Sequence, residues 1–131
     1  MARMIEHRNT ARIPFETEVR VRFSDMESFV SETAKNISLG GMFIATSEPA
    51  EVGTRFRFHL DIAGEVRFIS GQAEVRWRRT QSANGMPVGM GVEFTDLDEV
   101  SRSIIFRLVD NYIQTQGGEP FSLSQGAGGG A

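Results

Sequence analysis

The sequence predicts a mainly β domain, with six antiparallel strands forming a small barrel or sandwich and one C-terminal helix packed on it. Three observations predict it. Apolar and polar residues alternate through several short segments, the period of a strand with one wet face. Turn-forming residues, among them Gly40-Gly41 and Asn84-Gly85, separate those segments. After Phe94 the apolar spacing lengthens to about four residues, the period of an amphipathic helix.

Residues 1–14 read as a polar, basic arm, in which Arg3, Arg8 and Arg12 stand against Glu6, for a net charge of +2. Pro14 biases Ile13 to extended backbone. From Phe15 the alternation is clean, with Phe15, Thr17, Val19, Val21 and Phe23 on one face and Glu16, Glu18, Arg20 and Arg22 on the other. Ser24 to Ser28 reads as a turn, Phe29 to Ile37 as a weaker strand, and Met42 to Ala45 as a short apolar strand. Phe56, Phe58, Leu60 and Ile62 alternate with Arg55, Arg57, His59 and Asp61. Val66 to Arg78 reads as a long strand anchored by Phe68, Val75 and Trp77, and Val88 to Phe94 as the last one. Val100, Ile104, Leu108 and Tyr112, with Ile105 and Val109 beside them, define the helix stripe, and Asp98 is its expected N-cap. The ordered unit is expected over 15–115. Residues 116–131, which hold six of the 14 glycines, read as a flexible tail.

Composition narrows the function. The chain has 131 residues, enough to bury roughly two-thirds of its unfolded surface without a metal or disulfide staple. It has no cysteine, which removes disulfides, thiolate catalysis and Cys-ligated metals. No apolar run reaches membrane-spanning length, and the first residues lack a signal-peptide core, so a cytoplasmic protein is expected. The two histidines, His7 and His59, form no metal-ligand pattern, and no nucleophile elbow or Walker A motif is present. Neither enzyme activity, metal nor cofactor is expected. A net charge of −3, with one Trp and one Tyr, argues against a polymer-binding nucleic-acid groove. Within that balance the cations are 13 arginines and one lysine, Lys35. Arginine offers a planar donor fork that suits phosphates and base edges.

Two short patterns carry the functional reading. The first is Arg8-Asn9-Thr10-Ala11-Arg12, two arginines separated by three residues just before the first strand. The second is Asn36-Ile37-Ser38-Leu39-Gly40-Gly41, a polar loop between strands. Taken singly, each is a solvated arm or a turn. In this order, and with Gly89-Met90-Gly91-Val92-Glu93-Phe94 running into the helix, they are more specific. The chain resembles the PilZ domain family from about Glu6 to Gln114. That resemblance implies a six-stranded PilZ-type barrel with a C-terminal helix.

It also implies a ligand, cyclic di-GMP, held by Arg8, Arg12, Asn36, Ser38 and Gly41. The chemistry of those residues suits it. Arginine forks match phosphate oxygens and guanine edges. Asn36 offers an acceptor, Ser38 a hydroxyl, and Gly41 room for close backbone approach. The family often has Asp where Asn36 stands, so a weaker bond to guanine is expected. His7 stands where some members have a further Arg, which bears on ligand stoichiometry. Lys35 and Gly40 are neighbours of the loop that add charge or space. Trp77, with Arg78 beside it, is read first as a core anchor between outward arginines. An exposed indole stacking on guanine, with its neighbours Arg76 and Arg78 holding phosphate, is the second reading. The expected function is a non-enzymatic receptor that orders its arm on binding and signals to an effector protein, for instance in motility. A PilZ-fold protein adaptor that does not bind the nucleotide is the alternative. The outer face of the helix is a candidate homodimer surface.

Overall fold

The computed structural model describes residues 12–62 and 68–116. Six strands, β1 (Ile13–Arg22), β2 (Val30–Ile37), β3 (Gly41–Ala45), β4 (Arg55–Asp61), β5 (Phe68–Arg79) and β6 (Gly89–Leu97), precede a helix, α1 (Glu99–Gln116). The strands close into an antiparallel barrel in the order β1-β2-β3-β6-β5-β4. Closure leaves no free sheet edge. The predicted barrel and C-terminal helix are therefore present, and the strand boundaries lie within a few residues of the sequence reading. The main differences are β1, which starts two residues early at Ile13, and β6, which continues through Leu97.

Alternation decides which side chains are inside. On β4, Phe56, Phe58 and Leu60 are buried while Arg55, Arg57 and Asp61 are exposed. Val19, Val21, Ile37, Ile44, Ile69 and Val75 complete the barrel interior around them. Met42 and Ile44 point inward from β3, yet Phe43 between them is also buried, at 6% exposure. Its ring lies on the outer face beneath other side chains, which explains why β3 reads as a continuous apolar run. Asn84 (φ 53°) and Gly85 (φ 77°) occupy the left-handed region of a tight hairpin turn, closed by reciprocal hydrogen bonds between Ala83 and Met86.

The helix stripe needs one correction. Val100 is 64% exposed, and Ser101 takes the inward position instead. The Asp98 carboxylate accepts from the Ser101 N–H at 2.7 Å, the expected N-cap. That cap sets the phase of the first turn and carries Ser101 against β5, where its hydroxyl accepts from the Ser70 N–H at 3.1 Å. Ile104, Ile105 and Val109 then join the barrel core. Phe68 is a second correction. It is 48% exposed, because its pairing with Asp61 places it on the outer face of β5, where its ring packs at a tilt against His59. Phe23 lies just past the end of β1, is 37% exposed and packs against Phe56. No helix among the described residues is long and apolar enough to cross a membrane. Residues 117–131 lie outside the described residues, and Gln116, expected as the start of the tail, ends α1.

Candidate functional site

The Asn36–Gly41 segment runs from the end of β2 through the turn at 38–40 to the first residue of β3. Its shape comes from Ser38 and Gly41. Ser38 is buried, its N–H donates to the Gly41 carbonyl at 2.8 Å, and its hydroxyl accepts from the Gly40 and Gly41 N–H groups. The sequence reading gave that hydroxyl to a ligand. In the fold it is engaged in holding the turn, although Ser38 still lines the cleft described below. Gly41 is likewise required by the fold itself. A Cβ there would lie 2.0 Å from the Val92 carbonyl oxygen. Without one, β3 pairs tightly with β6, and Phe94 N–H reaches the Gly40 carbonyl at 2.8 Å.

Strand pairing brings the root of the arm to this turn. In the β1–β2 register Ile13 faces Ile37 and Pro14 faces Asn36. Arg12 therefore emerges beside Asn36, and its Nη1 donates to Asn36 Oδ1 at 2.8 Å. Partial burial draws the Arg12 pKa below its ordinary value, and at neutral pH it is still a cation. Two sequence motifs 24 residues apart thus meet in one hydrogen bond. Lys35, the adjacent residue, pairs with Glu16 at 3.2 Å and does not line the cleft. His7 and Arg8 lie outside the described residues.

Arg12, Ser38, Gly40, Gly41, Arg76, Trp77, Val92 and Glu93 line an open cleft of about 430 Å³. That is within the size range of small-molecule sites. Trp77 is 41% exposed, so the first sequence reading of it, as a core anchor, is corrected. The physical reason is a row on the outer face. Phe43 on β3, Gly91 on β6 and Trp77 on β5 are successive cross-strand partners. Gly91 has no side chain, and a Cβ there would lie 2.2 Å from the indole nitrogen. The two rings therefore close over it and stack at 5.4 Å between centroids. The Arg79 guanidinium lies 5.2 Å from the indole and 5.5 Å from the Phe43 ring, and donates to the Pro87 carbonyl at 3.0 Å. Buried Phe43 and Arg79 thus brace an indole that still presents surface to the cleft.

Arg78 is not brought to the cleft, and its guanidinium donates to the Pro49 carbonyl at 3.3 Å. Arg76, which the sequence offers only as a neighbour of Trp77, lines the cleft, and so does Glu93, which the sequence reading did not select. The pairing of β5 and β6 slips between Val75 and Trp77, a bulge that turns Trp77 to the outer face, where Arg76 already points. Nothing in the local sequence marks a bulge there. The Gly89-Met90-Gly91 spacing was the one legible signal that bulky groups cross β6. A second cleft of about 440 Å³, lined by Arg22, Phe29, Arg57, His59, Asp96 and Asp98 among others, contains none of the motif residues.

The family model of the PilZ domain matches residues 6–111. No curated protein matches the chain significantly. Among solved structures, the chain is similar to the Bacillus subtilis inhibitor of motility MotI/DgrA, with a TM-score of 0.69 and 16% identity, over 80% of this chain and 50% of that one. The chain therefore spans about half the length of that protein. It is also similar to the PilZ domain of CeSA from a cellulose-synthesizing bacterium, with a TM-score of 0.54 and 23% identity, over 79% of this chain and 98% of that one. The PilZ domain of Escherichia coli YcgR, solved with c-di-GMP, gives a TM-score of 0.54 and 14% identity, over 82% of this chain and 92% of that one. At these identities the solved structures speak for the fold, a closed six-stranded barrel followed by a helix. The arm root meeting the turn, and a family match that covers most of the chain, lead to one conclusion: this chain belongs to the PilZ domain family.

Proposed function

We propose that the chain is a non-enzymatic, cytoplasmic receptor for cyclic di-GMP, and that the cleft between the arm root and β5–β6 is its binding site. The observation that carries this reading is the hydrogen bond from Arg12, which lines the cleft, to Asn36, which does not. It sets a phosphate-matching fork beside an amide oxygen that can accept from guanine N–H groups. The ligand carries two phosphates and two guanines, so it can use both kinds of group. Trp77 adds a π-face on which a base stacks, an interaction worth roughly 1–3 kcal/mol per base in single-stranded nucleic-acid complexes. Ser38 and Gly41 act by shaping the turn that presents Asn36. Arg8 is the second arginine of the arm motif and acts with Arg12. In the free protein the Arg12 fork rests on Asn36. Binding exchanges that bond for bonds to the ligand, settles the arm over the cleft and changes the surface offered to an effector protein. That the E. coli YcgR domain was solved with c-di-GMP supports the ligand class.

The test is calorimetric titration of cyclic di-GMP into the wild type, Arg8→Ala and Arg12→Ala, with GTP as the control. Saturable binding by the wild type is expected. Each variant should lose roughly ten- to a hundredfold in affinity, the scale of one or two hydrogen bonds to a charged group. Absence of binding by the wild type at high ligand concentration leaves the protein-adaptor reading in its place.

A further inference from the structure

We propose that Arg76 is a phosphate-binding residue of the cleft and that Glu93 competes with the ligand for it. This rests on the reading of the cleft as the cyclic di-GMP site. In a regular strand Arg76 and Trp77 would point to opposite faces. Val75 pairs with Val92 and points into the core, Trp77 pairs with Gly91, and Arg76 lies in the bulge between them. The extra residue brings both Arg76 and Trp77 to the cleft. A guanidinium beside an exposed indole gives one ligand a phosphate grip and a stacking surface at adjacent positions. Bulges that re-aim a side chain in this way are over-represented next to functional sites.

The guanidinium is already occupied. Its Nη1 lies 3.3 Å from Glu93 Oε1 and 3.6 Å from Glu74 Oε2. Glu74 is shared, since its Oε1 lies 3.2 Å from Arg55 Nε. The row Arg55–Glu74–Arg76–Glu93 therefore alternates in sign across β4, β5 and β6. Only its last carboxylate lines the cleft. The Arg76 and Glu93 side chains are 56% and 53% exposed, so their pairing contributes little in water. A phosphate offers charge-assisted bonds to the same fork and displaces the carboxylate. Glu93 then stands as an uncompensated negative charge near a bound anion. It stabilises the empty cleft and weakens the filled one. Arg12, whose partner is a neutral amide, carries no such penalty.

The two residues should therefore shift affinity in opposite directions. Cyclic di-GMP is titrated calorimetrically into the wild type, Arg12→Ala, Arg76→Gln, Glu93→Gln and the Arg76→Gln/Glu93→Gln double variant, each at two salt concentrations. Arg76→Gln should weaken binding roughly ten- to a hundredfold and flatten its salt dependence. Glu93→Gln should tighten binding about two- to fivefold. In the Arg76→Gln background the gain from Glu93→Gln should shrink, because the competition is gone. If the Arg76–Glu93 pair merely stiffens the β5–β6 ribbon, both single variants weaken binding together, and that result overturns the proposal. Wild-type affinity in Arg76→Gln, with binding lost in Arg12→Ala, overturns it too while leaving the receptor reading intact. No binding by the wild type removes the receptor reading and this inference with it.

Discussion

Glycine is the residue on which the candidate site depends most directly, and its role is not flexibility. Gly41 and Gly91 lie where another group occupies the space of a Cβ, the Val92 carbonyl in one case and the Trp77 indole in the other. A clash with a carbonyl oxygen cannot be relieved by changing a rotamer, so Gly41→Ala must push β3 away from β6. The expected cost is about 1–3 kcal/mol or more, measured by urea denaturation. Gly40→Ala is the control. Nothing lies within 4 Å of its Cβ position, so its stability should stay within about 0.5 kcal/mol of the wild type. If the two variants are equally stable, the close approach of β3 and β6 is not the reason for Gly41. Asn36, Ser38, Gly40 and Gly41 were legible in the sequence as a pattern. Their division of labour was not, because a motif does not say which hydroxyl is already engaged.

Elements contribute through where they begin and where they slip. At the start of α1, Asp98 fixes the first turn and thereby decides that Ser101, not Val100, meets β5. Asp98→Ala should destabilise the protein by about 0.5–2 kcal/mol. Both the cap and the Ser101–Ser70 contact should loosen, so amide exchange should accelerate at Ser70 and Ser101 before the rest of the barrel. Exchange that is uniform across the chain would contradict a cap of local effect. The bulge in β5 is the other decisive irregularity. Period-two reasoning placed Arg76 and Trp77 on opposite faces, and one unpaired residue moved them to the same one. Phe43, part of the apolar run of β3, is buried on the outer face because its cover comes from β5, on the far side of β6.

For the whole molecule, closure of the barrel is what places the arm root over the cleft. β2 holds the start of β1, where Ile13 faces Ile37, and β4 holds its far end from Val19 to Arg22, so Arg12 lies beside Asn36. A ligand that binds only this folded arrangement must stabilise it. At cyclic di-GMP concentrations a hundredfold above its Kd, the gain should be roughly 2.7 kcal/mol. Thermal denaturation should show the corresponding rise in Tm for the wild type and a much smaller one for Arg12→Ala at the same concentration. An equal rise in both would mean that the ligand binds somewhere other than the Arg12 cleft, for which the Arg22–Arg57 cleft is the first place to look.

The sequence by itself determined the fold class, six strands and a helix near their true positions, the helix cap, the Asn84–Gly85 turn and the residues of the Asn36–Gly41 motif. All of these follow from short-range rules: alternation, helical period, capping and turn chemistry act within a few residues. Only the tertiary structure decided that Arg12 meets Asn36, that Trp77 is exposed over Gly91, that Arg76 and Glu93 line the cleft, and that Arg78 and Lys35 do not. Those outcomes depend on strand register, on one bulge and on which strands become neighbours when the barrel closes. Each is set by the free energy of the whole packed core, which no window of the sequence contains.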